Sequence, residues 1–113
     1  MDCLFCKIID KAIPADVVYE DDTVLAFSDI NPQAPQHKLF VPKKHIATLN
    51  DLDEEDTLLM GQVIQAAKNL AKQLGLDKTG YRLVSNCGSQ AHQTVFHIHF
   101  HLIGGRSMNW PPG

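Results

Sequence analysis

Between positions 97 and 103 the chain reads His97-Ile98-His99-Phe100-His101-Leu102-Ile103, three histidines at every second position with apolar residues between them. Alternation has the period of a β-strand. It predicts a strand over 95–103 whose three imidazoles share one face while Ile98, Phe100 and Leu102 pack behind them. Successive same-face residues lie roughly 6.5–7 Å apart at about 3.3 Å rise per residue. Two or three such rings can meet one phosphate-sized group or supply part of a metal site. Half of the chain's six histidines fall within these five positions, which a merely polar strand face does not require.

The 113 residues make one domain, 1–113, with a single core of modest relative burial, so pairing with a second copy is a natural source of extra stability. A net charge of −3, with both signs scattered, argues against a nucleic-acid partner. No apolar run approaches the roughly 20 residues of a membrane span. The start, Met1-Asp2-Cys3-Leu4, lacks the basic-then-apolar order of a secretory signal. The expectation is a soluble, cytoplasmic protein with neither membrane nor nucleic acid as partner.

Other elements follow from periodicity. Phe5, Ile8 and Ile9 predict a short helical turn that ends before Ile13-Pro14. Residues 17–19 and 23–27 read as a hairpin around Asp21-Asp22. The segment 28–36 contains Asn31-Pro32 and Ala34-Pro35 and reads as a loop, because proline lacks a donor and restricts its predecessor. Residues 38–41 form another strand. Leu59, Val63, Ala66, Ala67, Leu70 and Leu74 recur at helical spacing, so a long helix is expected from about 53 to 74, with acids in its first turn and Gly75 as a left-handed cap. A strand over 81–86 and a polar loop over 88–94 lead into the histidine segment. The sum is α+β, about five antiparallel strands with one long and one short helix.

A neutral imidazole is a nucleophile toward phosphorus and a general acid or base near pH 7. His99, flanked on both sides, is the best placed to attack; His101 would bind the phosphate or assist the leaving group, and His97 would orient or ligate. The stretch 86–94 offers backbone donors and hydroxyls but no glycine-rich phosphate loop with a Lys-Ser/Thr signature, which excludes a triphosphatase of that type.

The triad, together with Lys7-Ile8-Ile9, Ile13-Pro14-Ala15, Tyr19-Glu20-Asp21-Asp22, Asp29-Ile30, Pro32-Gln33-Ala34-Pro35, Pro42-Lys43-Lys44-His45, Gly104-Gly105-Arg106 and the tail Trp110-Pro111-Pro112-Gly113, resembles the histidine triad superfamily, and within it the histidine triad nucleotide-binding branch. The resemblance implies a homodimer with a sheet continued across the subunits, binding purine nucleoside monophosphates. It implies hydrolysis of nucleoside 5′-phosphoramidates through a nucleotidyl-histidine. By similarity His99 is the nucleophile, His101 and His37 line the phosphate and its leaving group, and the carbonyl near His97 fixes the His99 tautomer. Asp29 takes the ribose hydroxyls, Phe5, Ile8, Phe27 and Ile30 wall the base, and Asn86, Gln93 and Thr94 surround the phosphate. A dinucleoside polyphosphate hydrolase, a nucleotidyl transferase and a non-catalytic nucleotide sensor are the alternatives on the same fold.

Cys3-x-x-Cys6 has two readings, a zinc half-site and a pair of reduced cysteines packed as small hydrophobes. Zinc needs two more ligands, for which His45 and His97 are candidates; members of the wider superfamily with this cysteine pair bind zinc through the matching four positions. Zinc would then be structural, with no catalytic metal or organic cofactor. Cys87 is left as a free thiol. The chain departs from the family at Ala91-His92, where paired glycines are common, and its apolar tail is expected to dock, reaching by resemblance toward the partner's site.

Overall fold

The computed structural model describes residues 3–113; Met1 and Asp2, part of the start read above, lie outside the described residues. Five antiparallel strands, β1 (Val17–Glu20), β2 (Val24–Ser28), β3 (Gln36–Pro42), β4 (Tyr81–Val84) and β5 (Phe100–Gly104), form one sheet in the order β1-β2-β3-β5-β4. Helix α1 (Leu4–Ile9) opens the chain, α2 (Thr57–Gln73) connects β3 to the second half, and a short α3 (Leu76–Thr79), absent from the periodicity reading, precedes β4.

Strand alternation sorts the sheet into two faces. Val24, Ala26, Phe40 and Leu102 meet α2 through Val63, Ala66, Ala67, Leu70 and Ala71. The alanines let the helix lie close to the buried Phe40 ring, and each fully buried Leu or Phe contributes about 1.5–3 kcal/mol. The opposite set, Leu25, Phe27, Leu39 and Val41, meets Phe5 and Ile8 of α1. His37 and His101 share the face of Leu39, because His37 and Leu39 are two apart on β3 and His101 pairs with Leu39.

Helix α2 begins later than its acids suggest. Residues 54–56 form a single 3-10 turn, in which Asp56 Oδ2 accepts from the Asp53 amide at 3.0 Å while Oδ1 meets Lys44 Nζ at 2.6 Å. At the other end Gly75 has φ +78°, the left-handed conformation expected of a cap.

The histidine strand is shorter than the alternation predicts. The β3–β5 register pairs Phe40 with Phe100, and continuing it would set Ile98 opposite Pro42. Pro42 has no N–H to donate, so the ladder stops there. The Ile98 amide turns instead to the Ile46 carbonyl at 2.6 Å, and residues 95–99 leave the sheet. Only His101 of the triad therefore sits on a regular strand. β4 likewise ends at Val84 rather than 86. The tail is held by the Arg82 guanidinium, which donates to the Asn109 carbonyl and lies 6.0 Å from the centre of the Trp110 ring, yet that ring stays 82% exposed. No helix among the described residues is long and apolar enough to cross a membrane.

Candidate active site and an adjoining metal-ligand cluster

A cleft of about 630 Å³ opens on the α1 face of the sheet. Phe5, Ile8, Phe27, Asp29, Ile30, Thr94, His99 and His101 all line it. Phe5 packs edge-on against Phe27 at 5.4 Å and against the His99 ring at 5.0 Å, so the apolar end and the imidazole end are continuous. Leu4, Ile13, Leu39 and Val95 complete the apolar wall; nothing in their spacing distinguishes them from ordinary core residues. Asn86 and Gln93 are not among the lining residues. Gln93 is buried and its amide is spent on backbone groups: Oε1 accepts from the Gly88 amide at 2.9 Å, and Nε2 donates to the Ala47 and Val95 carbonyls at 2.9 and 3.1 Å. Its place is that of a tether for the loop before the triad. His92 caps the turn at 89–91 with φ +67° and is exposed.

Backbone partners determine which nitrogen of each neutral ring carries hydrogen. His99 Nδ1 lies 2.8 Å from the His97 carbonyl, which only accepts, so Nδ1 bears the proton and Nε2 keeps its lone pair. Ser85 Oγ donates to the His99 carbonyl at 2.9 Å and steadies the same residue from β4's end; no sequence signal marks that serine. His37 Nδ1 accepts the Gln33 amide at 3.0 Å, so its Nε2 bears hydrogen and donates to His101 Nδ1 at 2.9 Å. His101 therefore carries its own hydrogen on Nε2. One ring offers a lone pair and its neighbour, 5.0 Å away between centres, offers a donor.

Burial pushes His99 and His37 below the ordinary histidine range, with Asp29 opposing both shifts. Burial, with His99 and His37 beside it, pushes His101 down to about 4. All three rings are thus largely neutral at pH 7. Asp29 Oδ1 accepts the Asn31 amide at 2.8 Å, and Oδ2 stands 3.4 Å from His37 Nε2. Asp29, His37 and His101 are close enough to hold a cation. The Gln33 amide opposes it, because it keeps a hydrogen on the His37 nitrogen that would have to ligate.

Cys3, Cys6, His45 and His97 converge behind α1, their donor atoms all within 4.8 Å of one another. Cys3 Sγ to His97 Nδ1 is 3.4 Å, Cys6 Sγ to His45 Nδ1 3.4 Å, Cys6 Sγ to His97 Nδ1 3.6 Å, and His45 Nδ1 to His97 Nδ1 3.2 Å. A tetrahedral zinc with usual bond lengths has S···N edges of about 3.5 Å and N···N edges of about 3.3 Å. The donor set fits. His97 Nε2 donates to the Pro42 carbonyl at 2.8 Å, the outer contact that aims Nδ1 at the centre. Burial and the neighbouring Cys3 push the Cys6 thiol up to about 11, so loading a cation requires proton release.

A model of the HIT domain matches residues 10–108. The chain belongs to the HIT family. A HIT family hydrolase from Legionella pneumophila Philadelphia 1 superposes with a TM-score of 0.98 at 56% identity, covering 99% of this chain and 100% of that one. A 14 kDa zinc-binding protein from Brassica juncea is 54% identical over 114 residues, 99% of this chain and 100% of the relative. A histidine triad nucleotide-binding protein from Candida albicans aligns with a TM-score of 0.84 at 35% identity, over 97% of this chain and 83% of that one. Membership of the HIT family accounts for the five-stranded antiparallel sheet, and its structural relatives from Legionella pneumophila and Clostridium thermocellum are named HIT family hydrolases.

Proposed function

We propose that this HIT protein hydrolyses purine nucleoside 5′-phosphoramidates through a nucleotidyl intermediate on His99. The observation that carries the reading is the pairing of oriented nitrogens in the cleft, a lone pair on His99 Nε2 beside a donor on His101 Nε2. The base lies against Phe5, Ile8, Phe27 and Ile30, and Asp29 accepts from the ribose hydroxyls. The phosphate meets His99 and His101, with Thr94 beside it.

His99 Nε2 attacks phosphorus and the P–N bond breaks. The pair His37–His101, neutral in the free protein, takes up a proton from solvent as the anionic phosphate binds beside it, gives that proton to the departing amine and is left neutral. Water then adds to phosphorus, the P–Nε2 bond breaks, and the proton of that water returns to the pair. The His97 carbonyl holds Nδ1–H throughout, which stabilises the imidazolium that forms when Nε2 is bonded to phosphorus. General acid and base assistance of this kind contributes typically about 10²–10⁴-fold.

Zinc at Cys3, Cys6, His45 and His97 would have a structural role, tying α1 to the segments around 45 and 97 without touching the substrate. The protein would act in the cytoplasm as a homodimer, consistent with the exposed Trp110, Ile64 and Tyr81 and with β4 at a sheet edge. AMP release from adenosine 5′-phosphoramidate, followed chromatographically for wild type and His99→Ala, tests the reading. Turnover lost in a folded variant that still binds AMP supports it; an inactive, folded wild type that binds AMP overturns it in favour of a nucleotide sensor.

A further inference from the structure

The cysteines and the base wall interleave along one short helix and its N-cap, Cys3. Cys3 and Cys6 turn to the metal cluster, whereas Phe5 and Ile8 turn to the cleft. Helix α1 has six residues, far below the length at which a helix is stable alone, so its position is set by what its side chains grip. The nucleophile is tied to the same cluster by a second route. His97 is fully buried, its ring belongs to the cluster, and its carbonyl accepts from His99 Nδ1 at 2.8 Å. A third tie joins the other imidazole ligand: the Ile98 amide, between His97 and His99, donates to the carbonyl of Ile46, next to His45. The Phe5 ring bridges the two sites, 6.1 Å from the His97 ring and 5.0 Å from that of His99.

We propose that the metal cluster and the nucleotide cleft are one thermodynamically coupled unit, in which Cys3 and Cys6 act as positioning residues for the nucleotide site. The proposal rests on the zinc and nucleotide readings above and goes beyond a purely structural metal. A cation that satisfies all four donors holds α1 down, and with it Phe5 and Ile8 against the base. It also holds His97, and with it the His99 tautomer. Nucleotide packed against Phe5 and Ile8 holds α1 in the same place from the other side. Each ligand favours the arrangement the other needs, so each must tighten the other by the same factor. Coupling through shared packing is usually about 5–150-fold, and contacts as direct as these point to about tenfold.

Zinc affinity of the reduced wild-type protein, measured by competition with a chromophoric chelator, is compared with and without saturating AMP. AMP affinity is titrated with zinc bound and with zinc removed. The expected result is about a tenfold gain in each direction, equal within error. Phe5→Leu, which shortens the bridge but keeps an apolar core residue, should reduce the coupling while both ligands still bind. Ring ¹⁵N shifts of His99 should move from a fixed Nδ1–H form toward tautomer exchange when zinc is removed, a change that loss of stability alone does not produce. Zinc and AMP that both bind with affinities independent of each other overturn the coupling and leave both readings standing. Failure of zinc to bind overturns the metal reading, and failure of AMP to bind overturns the nucleotide reading; either takes the coupling with it.

Discussion

Replacing His37 by Phe separates two contributions that the triad alone conflates. His37 is 5% exposed and never touches phosphorus in this account; it fixes the tautomer of His101 and shares its proton. Its hydrogen bond to His101 Nδ1, at 2.9 Å, has a net worth of about 0.5–1.5 kcal/mol, and about 1.4 kcal/mol is tenfold in an equilibrium. Loss of the tautomer lock therefore costs every substrate up to about tenfold. Loss of the shared proton adds a further factor, about 10²–10⁴ for a general acid, only where the leaving amine needs protonation. For His37→Phe, kcat/KM on an alkylamine phosphoramidate should fall at least 100-fold, and on an arylamine or fluoride leaving group no more than about tenfold. Single-turnover rates on a series of leaving groups measure both, with circular dichroism to establish folding. An equal loss across the series would refute the proton role, and no loss at all would refute the relay from Gln33 through His37 to His101.

Gly104→Ala places a Cβ 2.8 Å from both terminal carbons of Leu76, so it should destabilise by about 1–3 kcal/mol through overpacking between β5 and α3; urea unfolding with an unchanged midpoint would contradict the close approach. Gln93→Leu leaves one backbone amide and two carbonyls without their side-chain partner and should cost about 2 kcal/mol or more, with KM rising as the loop before the triad loosens. His37, His99 and His101 are all depressed in the fold, so below pH 6.5 the unfolded chain takes up protons that the native state refuses. Stability should accordingly be full above pH 6.5 and fall as pH approaches 4, the folded value of His101. Melting curves with chelator present, so that metal loss does not contribute, check the sign; a melting temperature that rises toward pH 4.5 would reverse it.

Much of this architecture is legible in residue order, because burial imposes period. The α2 stripe and the alternation in β2 and β3 each name their buried face, and Gly75 marks a cap that only a left-handed residue can make. The length of the histidine strand is not legible from its own alternation. What ends it is Pro42, about 55 residues earlier, a constraint visible only once the register of β3 against β5 is known. The same holds for chemistry. The imidazoles are named by the sequence pattern, whereas their tautomers depend on carbonyls and amides at His97, Pro42 and Gln33 that side-chain identity does not encode. Gln93 illustrates the converse: a polar residue beside the triad looks like a phosphate ligand until its three backbone partners are counted. The cluster at Cys3 and Cys6 is legible from spacing as a half-site, and its tetrahedral edges from the fold alone.

The stereochemical course at phosphorus tests the central claim most directly. Hydrolysis of an adenosine 5′-phosphoramidate made chiral at phosphorus by sulfur, run in ¹⁸O-labelled water, distinguishes one displacement from two. Attack by His99 Nε2 followed by attack of water inverts phosphorus twice, so the account predicts net retention. Net inversion would mean that water attacks phosphorus directly and that no nucleotidyl-histidine forms.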